Sequence, residues 1–120
     1  MNTKQVADRF VSLCRGGKNM QVIEELYADN IVSREMPCMQ GQEVTEGIKA
    51  VAQKSEDWYE SLEEFHNGDI SDPVVAGNHF TVKMDFDATF KDRGRQQMEE
   101  LCVYEVYNGK IVREQFFYSM

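Results

Sequence analysis

The spacing of the apolar residues changes near Leu62, and this change limits the possible folds more than any other feature of the chain. Before it, apolar side chains recur every three or four residues, which is typical of amphipathic helices. After it, apolar and polar side chains alternate, most clearly over residues 80–90, which is typical of strands with one buried face. Helices followed by consecutive strands predict an α+β domain with a mostly antiparallel sheet.

Three helices are expected before the change. The first covers residues 3–15 and ends at two glycines, the second begins at an Asn19 cap, and the third begins at a Thr45 cap. The apolar stripe of the third helix comprises Ile48, Val51, Ala52, Trp58, Tyr59 and Leu62. A turn at residues 29–30, a short strand at 31–35 and a loop at 37–42 separate the last two helices. Later strands are expected near 74–76, 80–90, 97–106 and 110–118, so the order is α-α-β-α-β-β-β-β.

Length and charge restrict the partners of the chain. The 120 residues suit one domain over residues 1–120. A net charge of −8 disfavours nucleic acids and anionic membranes, because both are bound mainly through cationic side chains. No apolar segment is long enough to span a membrane, and the amphipathic N-terminal segment predicts no export signal. Cys14, Cys38 and Cys102 lack metal-ligand or paired spacing, so reduced thiols and a cytoplasmic location are expected.

Three segments resemble the nuclear transport factor two-like superfamily. They are LYADN at residues 26–30, TEGI at 45–48 and NGKIV at 108–112, and their order and spacing agree over nearly the whole chain. The superfamily includes SnoaL-like polyketide cyclases and ketosteroid isomerases. The resemblance implies a cystatin-like cone, in which a curved sheet wraps three helices around a largely apolar pocket, often in a homodimer.

Ketosteroid isomerase pairs an Asp base with an oxyanion hole made by a Tyr and a protonated Asp. The resemblance puts Glu35 in the place of the base, Phe10 in the place of the Tyr and Cys102 in the place of the second Asp. A phenyl ring donates no hydrogen bond and a thiol is a weak donor. The chain therefore keeps a candidate base without that enzyme's means of stabilising an enolate, and steroid isomerisation is not expected.

Glu35 is the first candidate for proton transfer, since it ends the first strand. In an apolar pocket its carboxylate could act as a general base, and the alternative is a solvated residue at a strand end. The other candidates, Glu100 and Glu114, lie on neighbouring strands. If both face one enclosed space, the pKa of one of them rises; the alternative is that they are solvated at the rim or pair with Arg113.

Which residues share a face with Cys102 depends on the last hairpin. A two-residue turn at Asn108-Gly109 would put Cys102 on the face of Gln115 and Phe117. A three-residue loop beginning at Tyr107 would instead line one face with Glu100, Cys102, Tyr104, Glu114, Phe116 and Tyr118. The resemblance implies the second arrangement.

The remaining candidates concern a ligand. The side chains expected to line the pocket are Phe10, Trp58, Phe86, Cys102, Tyr104, Phe116 and Tyr118, which favour a small apolar molecule. His66 is either a surface residue or a residue at the pocket mouth. No pair of ligands has the spacing of a metal motif and no phosphate-binding loop is visible, so neither a metal nor a cofactor is expected.

Two functions fit these observations. The chain is either a cofactor-free enzyme that moves a proton, such as an isomerase, cyclase or dehydratase, with Glu35 as base and Glu114 or Glu100 as acid, or a non-catalytic ligand-binding or dimerisation domain. The outer face of the sheet is expected to carry Leu101, Val103, Tyr107, Ile111 and Phe117. So many apolar side chains on one surface predict a homodimer.

Overall fold

A computed structural model describes residues 1–37 and 43–119. Over these residues it contains α1 (Thr3–Arg15), α2 (Asn19–Leu26), β1 (Tyr27–Arg34), β2 (Val44–Glu46), α3 (Ile48–Glu60), β3 (Leu62–Ile70), β4 (Val74–Ala76), β5 (His79–Phe90), β6 (Gly94–Tyr107) and β7 (Lys110–Tyr118). The predicted α+β class is therefore confirmed. Most of the loop expected at residues 37–42, including Cys38, lies outside the described residues. No helix in the described part of the chain is long and apolar enough to cross a membrane.

All strands join one sheet in the order β2-β1-β7-β6-β5-β3, with β4 paired to β5. The β1–β7 pair is parallel and the other pairs are antiparallel. The helices pack on one face, which we call the concave face: α1 lies against β3, β5 and β6, and α3 lies against β1. The core between helices and sheet includes Val6, Phe10, Leu26, Ile31, Val51, Phe80, Tyr104 and Ile111.

The start of α1 is set by a capping box. The Asn2 side chain accepts a hydrogen bond from the Gln5 backbone, and the Gln5 side chain accepts one from the Asn2 backbone. The other two predicted caps are wrong. Lys18 precedes α2 without a side-chain cap, and Asn19 is the first helical residue. Thr45 lies in β2, and Gly47, with a φ of 93°, precedes α3.

The structure contains two strands, β2 and β3, that the predicted order lacks, and β1 begins earlier than expected. β1 begins at Tyr27, and the turn expected at residues 29–30 is instead an irregularity in its pairing with β7. β2 has three residues, too few for a periodic signal. β3 begins at Leu62, which the sequence assigns to the third helix. Seven of the nine β3 residues are exposed, so its sequence, LEEFHNGDI, lacks the alternation that reveals a half-buried strand.

The last hairpin combines both predicted alternatives. Asn108 and Gly109 form a two-residue turn, with φ angles of 50° and 75°, between the paired residues Tyr107 and Lys110. The register then shifts after the Val106–Ile111 pair, because Val112 has no partner in β6.

The unpaired Val112 is a β-bulge. Beyond it, β7 has the register that a three-residue loop would give, so Cys102 lies opposite Phe116 and Tyr104 lies opposite Glu114. The bulge also turns Ile111 into the core, where it is fully buried, although the sequence places it on the outer face. Leu101, Tyr107 and Phe117 are exposed to between 42 % and 66 %.

Candidate functional site

Polar side chains from four elements meet on the concave face. We call this group the polar cluster; it comprises Tyr27, Ser33, Glu35, Lys54, Glu100, Cys102, Glu114 and Tyr118. The parallel register of β1 and β7 aligns Ser33 with Glu114. The antiparallel register of β6 and β7 aligns Glu100 with Tyr118. Glu35 comes directly after β1 and accepts a hydrogen bond from Tyr118, so the three candidate carboxylates lie on one face.

Glu114 occupies the buried end of the cluster and is only 3 % exposed. It accepts a hydrogen bond from the Tyr27 hydroxyl. Burial raises the pKa of Glu114, while hydrogen bonds from Ser33 and Tyr27 act in the opposite direction. Burial and the nearby Glu114 charge also raise the pKa of Tyr27 well above its ordinary value. A carboxyl group enclosed in this way holds its neighbours in place and is poorly placed to touch a substrate.

Lys54 reaches the cluster from α3. Its ammonium group donates to Ser33 Oγ at 2.7 Å and to Glu35 Oε1 at 3.2 Å. The Phe116 ring lies beneath it, with 5.5 Å between Nζ and the ring centroid. Lys54 is not among the site residues predicted from the sequence. A signal existed, because Lys54 is three residues after Val51 and four before Trp58, and therefore lies on the apolar face of the helix.

Glu35 lies at the more open side of the cluster. One carboxylate oxygen pairs with Lys54, and the other accepts a hydrogen bond from the Tyr118 hydroxyl at 3.0 Å. The side chains of Glu35 and Lys54 are 17 % and 25 % exposed. The sequence predicts an apolar surrounding for Glu35, whereas the structure gives it a cation and a hydroxyl donor.

Glu100 has a different environment from the other two carboxyl groups. Among the described residues its hydrogen-bond donor is the Cys102 thiol, with 3.7 Å between Sγ and Oε1. The pKa of Glu100 is raised to about 7, chiefly by burial and then by the negative charges of Glu35 and Glu114. The thiol and Lys54 oppose this rise. At neutral pH this carboxyl group can therefore either give or accept a proton.

The aromatic candidates fall into three places. Phe10 and Tyr104 are buried against each other and against Phe80, with ring centroids 4.6 to 5.6 Å apart. Trp58 packs edge-on against Phe86 at 5.4 Å, in a separate aromatic group. Phe116 lies beside the polar cluster, beneath Lys54, and Tyr118 belongs to the cluster through its hydrogen bond to Glu35.

Neither the described cysteines nor His66 adds reactive chemistry to the cluster. Cys14 and Cys102 are free thiols, and burial raises the pKa of both, that of Cys14 to about 11. His66 lies on β3, with Nε2 2.7 Å from the Thr89 hydroxyl and Nδ1 2.9 Å from Glu64. Its contacts therefore tie it to the edge of the sheet.

Two shallow grooves lie outside the cluster, between α1 and the segment after β3. Their volumes are about 430 and 290 Å³, and both are lined by Asp8, Asp72 and Pro73. No member of the polar cluster lines either groove. Within the cluster, the side chains of Glu35 and Lys54 are partly exposed to solvent.

Comparison with known proteins gives a consistent result. The sequence model of the SnoaL-like domain family matches residues 1–118. A protein from Mesorhizobium loti, named as a candidate SnoaL-like polyketide cyclase with carbohydrate phosphatase as a second name, is 38 % identical. Its structure superimposes with a TM-score of 0.91, covering 98 % of this chain and 100 % of the other.

More distant similarity concerns the fold alone. A Xanthomonas campestris protein of unknown function with a cystatin-like fold is 15 % identical, with a TM-score of 0.83 over 100 % of this chain and 92 % of the other. A candidate isomerase from Bacillus subtilis is 20 % identical, with a TM-score of 0.72 over 99 % and 90 % of the two chains. No curated protein sequence matches significantly.

Proposed function

Since the chain belongs to the SnoaL-like domain family, we propose that it moves a proton on a small, mostly apolar substrate without a cofactor. The observation that carries this proposal is Glu100, a half-buried carboxyl group on the concave face whose pKa is raised to about 7. General acid–base catalysis is most efficient when the pKa of the group lies near the working pH. Isomerisation, cyclisation and dehydration all need such a group.

In this proposal the three carboxyl groups do different work. Ionised Glu100 takes a proton from the substrate, and the resulting neutral acid returns it to another atom, so each turnover restores the starting state. Glu35 keeps Lys54 in place through their ion pair, and its charge contributes to the raised pKa of Glu100. Glu114 supports the cluster from its buried end.

The test begins with the ligand that co-purifies with the protein, identified by mass spectrometry. Incubation of that compound with the protein in D₂O should then incorporate deuterium, which NMR detects. Glu100→Gln should abolish deuterium incorporation and keep binding of the compound. The amide has nearly the same shape as the carboxyl group, but it cannot take a proton from the substrate. Glu99→Gln is the matched control, since Glu99 is the exposed neighbour on the outer face. Equal incorporation by wild type and Glu100→Gln would contradict the proposal.

A non-catalytic ligand-binding or dimerisation domain is the second candidate. It is favoured by the pairing of Glu35 with Lys54. The same experiment separates the two functions, because a binding domain would retain the compound and incorporate no deuterium.

We also propose a homodimer formed through the outer face. Leu101 and Phe117 are opposite one another on β6 and β7, and with Tyr107 they expose apolar surface of the kind that interfaces bury. A twofold axis through this face would cover both copies of the surface. The cytoplasmic location stays a prediction from the sequence.

A further inference from the structure

We propose that Cys102 is a positioning residue for Glu100: its thiol holds one oxygen of the carboxyl group in place and, as a weak donor, leaves that group free to gain and lose a proton. The inference deepens the proposed function and rests on it in one respect, namely that Glu100 is the group that moves the proton. It gives a role in the site to a buried cysteine that does not itself react.

The contact between the two side chains is built into β6. Residues two apart on a strand point to the same face, so Glu100, Cys102 and Tyr104 form a line on the concave face. The longer carboxyl side chain reaches the short thiol, with 3.7 Å between Sγ and Oε1. The residues opposite Cys102 on β5 and β7 are Val82 and Phe116, whose side chains have no polar atom. Neither of them competes with Glu100 for the thiol proton.

The thiol is held in place and keeps its proton. Cys102 is fully buried, and the Tyr104 hydroxyl makes a hydrogen bond to its sulfur. Burial, and then the charge of Glu100, raise the pKa of Cys102 far above its ordinary value, so the thiolate does not form at neutral pH. Burial also raises the pKa of Tyr104 well above its ordinary value. Both groups therefore remain protonated while Glu100 titrates.

The strength of its donor distinguishes Glu100 from the other two carboxyl groups of the polar cluster. Glu35 accepts hydrogen bonds from an ammonium and a hydroxyl group, and Glu114 accepts them from hydroxyl groups. Such donors favour the charged form of a carboxyl group and lower its pKa. A thiol is a weak donor, so it orients Glu100 and stabilises its charge only slightly. This agrees with a pKa of Glu100 that stays raised to about 7.

The other groups that act on Glu100 come from the elements packed around it. They are Glu35 after β1, Lys54 on α3, and Glu114 and Tyr118 on β7, while the residue opposite Glu100 on β5 is Met84. A substitution at Cys102 leaves all of them in place. A change in the titration of Glu100 in such a variant therefore reports on the thiol.

The test compares a stronger donor with no donor at this position. Cys102→Ser supplies a hydroxyl group of nearly the same size, and Cys102→Ala removes the donor. Carbon-13 NMR follows the titration of the side-chain carboxyl groups, and the signal of Glu100 is identified by its loss in Glu100→Gln. Cys102→Ser should lower the titration midpoint of Glu100 by about half a pH unit or more, which is about threefold in its acid dissociation constant. Cys102→Ala should raise the midpoint.

Cys14→Ser is the matched control, because Cys14 is the other free thiol among the described residues and lies outside the polar cluster. It should leave the midpoint of Glu100 unchanged. With the co-purified compound, the pH dependence of deuterium incorporation should shift in the same direction as this midpoint in each Cys102 variant. A cysteine that only fills space would change the stability of both variants without moving the midpoint in opposite directions.

An unchanged midpoint in the Cys102 variants, or a shift in the same direction in both, overturns the inference. A shift in Cys14→Ser as large as that in Cys102→Ser overturns it too. If only one Cys102 variant folds, the direction of its shift alone decides. Failure of the proposed function has a different signature: the wild type incorporates no deuterium, while the opposite shifts of the Glu100 midpoint remain.

Discussion

Replacement of Glu100 by Gln should stabilise the protein at alkaline pH and change its stability little at acid pH. The folded protein raises the pKa of this carboxyl group from 4.5 to about 7. Between these values the folded state holds a proton that the unfolded state has lost. The free energy of unfolding therefore falls as the pH rises through this window. Below pH 4.5 Glu100 is protonated in both the folded and the unfolded state, so the cost of burying its charge is absent.

The size of this stability change follows from the rise in the pKa of Glu100. At about 1.4 kcal/mol for each pH unit, a pKa raised from 4.5 to about 7 costs about 3 kcal/mol once the pH exceeds 7. Glutamine has nearly the same shape and no charge, so it avoids the cost. We expect Glu100→Gln to be more stable than wild type by about 2–3 kcal/mol at pH 8, and nearly equal to it at pH 4.5.

Urea denaturation at several pH values between 4.5 and 8.5 provides the measurement. Glu114, whose pKa is also raised, contributes to the pH dependence of both proteins, so the difference between them is the relevant quantity. Glu99→Gln controls for loss of one negative charge from the surface. A difference that stays constant over this range would refute the reasoning, since it would show that Glu100 is as acidic in the folded state as in the unfolded chain.

Three further outcomes are expected. Tyr27→Phe removes the hydroxyl donor of the buried Glu114 and should lower the free energy of unfolding by about 1–3 kcal/mol; an unchanged urea midpoint would show that Glu114 does not depend on this bond. Asn2→Ala removes the capping box of α1 and should cost about 1 kcal/mol, whereas Asn2→Asp keeps the acceptor; equal melting of the two variants would contradict the cap assignment. Light scattering should give a dimer mass for the wild type and a monomer mass for Phe117→Glu, with Val74→Glu as an exposed control on β4; a monomeric wild type would remove the proposed interface.

The parts of the fold that the sequence predicts are those with a clear apolar period. α1 and β5 lie close to their predicted bounds because apolar residues recur along one face of each, and β7 does so because the Asn108-Gly109 turn marks its start. β3 is an edge strand whose side chains are largely exposed, so its sequence lacks the alternation of apolar and polar residues. It could therefore not be predicted from that pattern. Caps were misassigned for a related reason: Thr45 has a capping side chain, but pairing with Ser33 of β1 holds it in a strand.

The candidate site was predicted in part, and for partly wrong reasons. Glu100 and Glu114 share a face as the resemblance implies, but the cause is the unpaired Val112 and not a longer loop. No periodic pattern identifies a bulge, because it is one residue long. Lys54 was missed because a lysine on a helix is usually solvated. Its role becomes visible only when the sheet places Ser33 and Glu35 next to its ammonium group.

The irregular edge of the sheet bears on how the protein behaves at high concentration. β3 is the last strand in the sheet order, so its outer backbone groups have no strand beside them in the described residues. Two register shifts interrupt its pairing with β5, and its exposed side chains include Glu63 and Glu64. A bent, negatively charged edge is a poor template for another strand, which protects the protein from aggregation through this edge. The proposed self-association through the face of the sheet would therefore not compete with strand pairing at the β3 edge.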